Sequence, residues 1–144
     1  MISYNNKNVL FITTKNLDYL RNTQEIEMIK KDGGQLTVIG SYSKSYVKRL
    51  LSVYAKILTT SMRKFDVVFV GFAPQLIFAP FNWKFKKNTV VIDFFISMYD
   101  TIVFDRKKIK DGSLFAKLLK HYDKKAIKAA DEIICDTNAH GRYF

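Results

Sequence analysis

The chain has 144 residues, of which 48% are hydrophobic, so it holds enough apolar material for one folded domain, 1–144, and wholesale disorder is excluded. It carries 24 lysines and arginines against 13 acidic residues, a net charge of +11, which favours anionic partners: phosphate groups, nucleic acid or an acidic membrane surface. One cysteine excludes an internal disulfide, and two histidines argue against a dedicated zinc site. We therefore expect a reducing, cytoplasmic location and no bound metal.

The first predicted elements form a strand–helix–strand unit. Asn8 to Thr13 is short, apolar and β-branched, as in a buried strand. A helix is predicted over about Asn22 to Lys31, where Asn22 and Glu25 have the spacing of an N-terminal capping pair. Gln35 to Gly40 is the second predicted strand.

The next helix has a clear apolar period. It predicts one buried face made of Val47, Leu50, Leu51, Tyr54, Leu58 and Met62. Strands are predicted at Asp66 to Val70 and at Asn88 to Phe94, with a short helix or irregular segment between them. The apolar run from Val67 to Phe81 is shorter than the ~20 residues of a membrane-spanning helix and contains prolines, so we expect no transmembrane segment.

A long helix is predicted to begin near Ser113, after a lysine-rich loop. Glu132 to Cys135 is the last predicted strand, and Asn138 is a predicted cap of a final helix. In the long helix, the spacing places a set of apolar residues on one face: Phe115, Leu118, Leu119, Tyr122, Ala126 and Ala130.

Apolar strands that alternate with helices indicate an α/β protein, a Rossmann-like three-layer sandwich with a mainly parallel sheet. Ligands of such folds bind at the carboxyl ends of the strands. That rule predicts a common rim of polar side chains: Asp93, Ser97, Tyr99, Asp100, Thr101, Asp136, Thr137 and His140.

Two interpretations of the rim carboxylates are open. Asp93 and Asp100 could accept hydrogen bonds from sugar hydroxyls, or they could be loop carboxylates that balance nearby lysines. His140 could donate to an anionic ligand or serve as a packing residue. The segment after the first strand, TTKNLDYLRNTQE, has no glycine, which disfavours a nicotinamide or ATP phosphate site.

Aromatic and basic residues alternate in one segment before the fourth strand. Such interleaving suits the headgroup region of an anionic bilayer, although the aromatic residues could instead face the core. The predicted membrane-docking residues are Trp83, Lys84, Phe85, Lys86 and Lys87.

Two stretches, TVVIDFFISMYDTIVFDRKKI and DKKAIKAADEIICDTNAHGRYF, resemble the N-terminal domain of GT-B glycosyltransferases, among them family-four-like enzymes of bacterial surface-polysaccharide synthesis. The resemblance covers most of the chain and is densest from Val67 onward. The matching pieces are Val70-Gly71-Phe72, Asp93, Ser97, Tyr99-Asp100-Thr101, Asp105-Arg106, Ala130-Asp131, Asp136-Thr137, His140 and Tyr143-Phe144.

This resemblance implies an enzyme of two Rossmann-like domains that face a cleft. The N-terminal domain would hold a sugar or lipid-linked glycan acceptor, and the rim residues would be its acceptor-binding candidates. The nucleotide-sugar donor would bind mainly to a C-terminal domain outside these 144 residues, so this chain is expected to carry no cofactor and to be inactive alone. Thr13-Thr14-Lys15-Asn16 stands where the family often has a glycine pair, which argues against a donor-phosphate contact there.

Two other functions fit the composition. A nonenzymatic flavodoxin-like binding or regulatory module could act through a basic anion-binding or membrane-binding face. Nucleic-acid binding rests on the net charge of +11 alone and is the least favoured, because no recognisable reading motif accompanies the lysines.

Overall fold

Five parallel strands form one sheet in the computed structural model, which describes residues 1–135 and Arg142. The sheet order is β2-β1-β3-β4-β5, with β1 (Asn8–Asn16), β2 (Gln35–Ser41), β3 (Val67–Val70), β4 (Thr89–Asp93) and β5 (Glu132–Ile134). The helices are α1 (Leu20–Lys31), α2 (Tyr46–Thr59), α3 (Pro74–Phe81), α4 (Met98–Asp100) and α5 (Leu114–Ala129). The predicted Rossmann-like α/β fold is confirmed, and all the described strand pairs are parallel.

Helices cover the sheet on two faces. Alternate strand residues, such as Val68 and Ile92, pack with α2, α3 and α5 in one apolar core. The intervening residues, such as Phe69 and Val91, pack with α1 and with Tyr4 in a second core. This alternation follows from the two-residue period of a strand and makes β3 apolar on both faces.

The two long amphipathic helices bury only part of the face that their apolar period predicts: Leu119 and Ala126 of α5 are buried as predicted, and Tyr54 of α2 packs against the core. On α2 the buried side chains are those of Arg49, Val53 and Ile57, whereas Val47, Leu51 and Leu58 are exposed. On α5 the buried residues are Ala116, Leu119, Asp123 and Ala126, while Phe115 and Leu118 are exposed. The predicted faces are therefore wrong in part: a polar side chain turns inward on each helix, and apolar side chains are left on its surface.

The predicted capping pair on α1 is also wrong. The helix begins after Tyr19, and no side chain caps it. Asn22 is buried instead: its Oδ1 accepts a hydrogen bond from the Thr13 hydroxyl at 3.1 Å, and its amide donates to the Asn16 carbonyl at 2.8 Å. Asn22 thus fastens α1 to the carboxyl end of β1. The final helix predicted at Asn138 lies outside the described residues.

Candidate functional site

A buried carboxylate on α5 organises the segment that follows β4. Asp123 accepts hydrogen bonds from the Ser97 hydroxyl at 2.6 Å and from the Gln75 amide at 2.9 Å. It also accepts from the backbone N–H groups of Met98 at 3.1 Å and Tyr99 at 3.0 Å. These four hydrogen bonds replace the hydration that the Asp123 carboxylate loses on burial. Asp123 therefore fixes the position of the β4–α4 connection over α5.

Ser97 links this carboxylate to the short helix α4. Its hydroxyl donates to Asp123 and accepts from the Asp100 N–H at 3.0 Å, which makes Ser97 the N-cap of α4. The α4 turn is thereby held with the side chains of Tyr99 and Asp100 beside α5. Of the predicted rim, these three residues form one group.

A cavity of about 320 Å³ lies between α4 and α5. It holds a hydroxyl, carboxylates and ammonium groups together, a set that can both donate to and accept from a polyhydroxylated or phosphorylated ligand. Its lining residues are Ser97, Tyr99, Asp100, Lys120, Asp123, Lys124 and Ile127. This cavity is the candidate functional site.

Tyr99 has several partners around this cavity. Its hydroxyl donates to the Asp111 carboxylate at 2.6 Å, and the Lys120 ammonium lies 5.3 Å from the centre of its ring. The hydrogen bond from Tyr99 is the largest of the effects that hold the pKa of Asp111 below its ordinary value. These contacts fix the Tyr99 ring and tie the loop before α5 to the cavity wall.

Asp93 does not join the cavity, so this part of the rim prediction is wrong. Its carboxylate is 1% exposed and forms an ion pair with Arg21 of α1, through Nε and, at 2.6 Å, through Nη2. The Arg21 guanidinium also lies 4.4 Å from the centre of the Phe95 ring. Side chains alternate along β4, so Asp93 lies on the same face of the sheet as Val91 and not on that of Ile92. It therefore points towards α1. Its role in the structure is to anchor α1.

Glu25 lies next to this ion pair. It is buried, and burial together with the neighbouring Asp93 carboxylate raises the pKa of Glu25 to about 9, against the opposing effect of Arg21. Glu25 is therefore protonated at neutral pH. A hydrogen bond between the Glu25 and Asp93 side chains contributes to the raised pKa, and the Glu25 Oε2 is buried. A Cβ added at Gly71 would lie 3.3 Å from that oxygen. The chain just after β3 therefore packs against the group formed by Arg21, Glu25 and Asp93.

The remaining rim candidates fall in two groups. Thr101 is half-buried and begins a π-helical turn, Thr101–Asp105, but it does not line the cavity. Asp136, Thr137 and His140 lie outside the described residues.

The predicted membrane-docking segment separates into buried and exposed parts. Phe85 is 1% exposed and packs in the core, so its assignment to a docking surface is wrong. The Lys84 ammonium donates to the carbonyls of Ile57 at 2.6 Å and Leu58 at 3.1 Å, at the C-terminal end of α2. Trp83, Lys86 and Lys87 are exposed.

The crevice where the sheet order reverses, between β1 and β3, is occupied by side chains. The rings of Tyr19 and Phe72 meet edge to face at 6.0 Å, and the Lys15 ammonium lies 5.2 Å from the Phe72 ring centre. The Thr14 hydroxyl donates to the Phe72 carbonyl at 3.1 Å. The usual ligand position of a doubly wound sheet is thus packed with this chain's own residues, and the open cavity lies further along the edge, beyond β4.

Sequence reasoning missed Asp123, Lys120 and Lys124, which complete the cavity. The signal for Asp123 was present: it is the one acidic residue in α5 and lies between Leu119 and Ala126 on their face of the helix. An isolated carboxylate on an apolar stripe indicates a buried partner network.

No helix of the described residues has the length and apolar composition needed to cross a membrane. Within residues 1–135, no group of three or more metal-ligating side chains comes together.

Comparison of the chain with protein-family models, curated proteins and solved structures finds no match. The resemblance to glycosyltransferases therefore stays a prediction from the sequence.

Proposed function

We propose that this chain is the acceptor-binding part of a glycosyltransferase that transfers a sugar from a nucleotide-sugar to a glycan or lipid-linked acceptor in surface-polysaccharide synthesis. The cavity between α4 and α5 is the single observation that carries the proposal. The Asp100 carboxylate in its wall suits sugar hydroxyls, and Lys120 and Lys124 suit the phosphates of a lipid-linked acceptor. Donor binding would require residues beyond these 144, and attachment to an anionic membrane would bring the protein to its acceptor.

Binding can be tested on this chain without any donor. The probe is a water-soluble prenyl-diphosphate-linked hexosamine, titrated while backbone amide shifts are followed by NMR. We expect the shifts to centre on Ser97 to Asp100 and on Lys120 to Lys124. Asp100→Asn and Lys120→Met should each weaken binding by about tenfold, since each removes a charge-assisted hydrogen bond.

Asp105→Asn is the matched control, because Asp105 is an exposed carboxylate of the same segment that does not line the cavity. If Asp105→Asn and Asp100→Asn weaken binding equally, the effect comes from the change in net charge and not from a contact with Asp100. Shifts that centre elsewhere, or no binding at all, would contradict the proposal. For the protein encoded by the entire reading frame, sugar transfer that Asp100→Ala leaves unchanged would remove Asp100 from the acceptor site.

A nonenzymatic binding module is the second candidate. The strand order β2-β1-β3-β4-β5, which is that of flavodoxin-like proteins, favours it. A module of this kind would bind a protein or small anion in a salt-sensitive manner and would not respond to the glycan part of the probe. Equal affinity for the prenyl diphosphate with and without the sugar would favour this candidate.

A further inference from the structure

The charges of the molecule are divided between its two faces. Residues 42–92, which include α2 and α3, contain nine lysines and arginines and a single acidic residue, Asp66. The only acidic residue of α5 is the buried Asp123, while Lys117, Lys120, Lys124 and Lys128 are exposed. By contrast, α1 and its flanks carry exposed acids among their basic residues: Asp18, Glu27 and Asp32. The layer of α2, α3 and α5 is therefore the positive face.

Large apolar side chains are exposed on the same layer. Val47, Leu51 and Leu58, all on one side of α2, are 66%, 62% and 58% exposed, and Trp83 is 62% exposed. On α1, Leu20 is the one large apolar side chain exposed to this degree. Exposed apolar groups among cations form a surface that is typical of interaction sites.

Leu58 and Trp83 belong to one groove. It has a volume of about 760 Å³ and lies where α2 ends and the turn Asn82–Lys84 follows α3. Arg63, Lys86 and Lys87 line it with them, and no acidic residue is among its lining residues. The indole thus lies in a groove that cations line, at one end of the positive face.

We propose that the positive face, with Val47, Leu51, Leu58 and Trp83 inserted among the headgroups, docks this protein onto an anionic lipid bilayer. Charge complementarity decides the occupant: a second copy that docks through the same face would meet like charge, and nucleic acid offers no apolar layer for the leucines and the indole. Lysine stems cover apolar surface while their ammonium groups stay at the phosphates. The inference rests on the membrane attachment in the proposed function and assigns it to a face of the molecule.

The test uses vesicles that contain no glycan, so its result is independent of acceptor binding. The chain is mixed with phosphatidylcholine vesicles or with vesicles of equal parts phosphatidylcholine and phosphatidylglycerol. We expect cosedimentation with the anionic vesicles only, weakened by raising NaCl from about 0.1 M to about 0.5 M. Trp83 is the one tryptophan of the chain, so a shift of its emission to shorter wavelength reports insertion directly.

Matched variants locate the docking face. Lys86→Gln/Lys87→Gln should weaken vesicle binding by about tenfold or more, whereas Lys30→Gln/Lys31→Gln on α1 removes the same charge and should have little effect. Leu58→Ser should weaken binding and Leu20→Ser should not, although both remove an exposed leucine. Circular dichroism checks that each variant is folded.

Several outcomes would overturn the inference: equal losses from the α1 variants, an emission maximum of Trp83 that does not move, or equal binding to neutral vesicles. A concentration-dependent dimer abolished by Leu58→Ser would make the occupant a second copy, and tighter binding to duplex DNA than to vesicles would make it nucleic acid. If docking fails while the cavity still binds the prenyl-diphosphate probe, the proposed acceptor site survives and the docking face does not.

Discussion

Arg21, in the first turn of α1, forms an ion pair with Asp93, at the end of β4, across 72 residues of sequence. Both guanidinium donors that reach the carboxylate come from one planar group, which fixes the angle of α1 on the sheet. The centre of that group also lies 4.4 Å from the centre of the Phe95 ring. This contact joins α1, the helix that follows β1, to the end of β4, and it removes Asp93 from any ligand site.

Replacing Arg21, the partner of Asp93, should destabilise the protein strongly. Arg21→Met keeps the apolar stem but leaves the Asp93 carboxylate buried without its cation, and we expect a loss of about 3 kcal/mol in the free energy of unfolding. Urea denaturation measures it. The double variant Arg21→Met/Asp93→Asn should recover at least half of the loss, because no buried charge then lacks a partner. Additive losses in the double variant would contradict the pairing.

The raised pKa of Glu25 predicts a specific dependence of stability on pH. Its carboxyl titrates near 4.5 in the unfolded chain and near 9 in the folded protein. Between these values the folded protein keeps a proton that the unfolded chain has lost. Stability should therefore fall as pH rises through this window, by at most about 1.4 kcal/mol per pH unit, and level off above pH 9.

Glu25→Gln isolates this effect, because glutamine stays neutral at every pH. The difference in melting temperature between variant and wild type should be small near pH 4.5 and should grow in favour of the variant up to about pH 9. Glu27→Gln, at an exposed position of the same helix, should run parallel to the wild type. A constant difference for Glu25→Gln across the window would mean that Glu25 is not protonated in the folded protein.

The strands and their parallel arrangement could be predicted from the sequence because the three central strands, β1, β3 and β4, each contain a short, nearly continuous apolar run. Runs such as Val67 to Val70 are buried on both faces, and their alternation with helices is typical of a parallel sheet that helices cover on both faces. Which polar residues meet could not be predicted. Asp93 and Asp123 both find their partners in segments distant in sequence, and hydrophobic periodicity contains no information on such pairs.

Asp123→Ala should loosen the candidate site and destabilise the protein together. It leaves the Ser97 hydroxyl, the Gln75 amide and two backbone N–H groups without their acceptor, so we expect a loss of about 3 kcal/mol. Hydrogen exchange should accelerate at the amides of Met98 and Tyr99. Lys128→Ala, at an exposed position of α5, should change stability by less than about 0.5 kcal/mol. Unchanged exchange at Met98 in Asp123→Ala would contradict the network.

The orientation of α2 shows why an apolar period alone misplaces a helix face. Arg49 is buried, and its guanidinium donates to the carbonyl of Thr14, near the end of β1, at 2.9 Å and to that of Ser43, just after β2, at 2.7 Å. Arg49 thus supplies a charged donor to both backbone carbonyls. Once Arg49 is fixed inward, Val53 and Ile57 follow at four-residue spacing, and Leu51 is turned out.

A pair of substitutions on α2 distinguishes the two faces. The apolar period predicts that Leu51→Ser lowers the free energy of unfolding strongly and that Arg49→Met leaves it unchanged. The structure predicts the opposite order. Arg49→Met should cost about 2 kcal/mol, because two carbonyls lose a charged donor, whereas Leu51→Ser, at an exposed helix position, should cost less than about 1 kcal/mol. Urea denaturation of the two variants decides the matter. A larger loss for Leu51→Ser than for Arg49→Met would mean that α2 presents its leucines to the sheet, and the exposed apolar stripe of the positive face would then not exist.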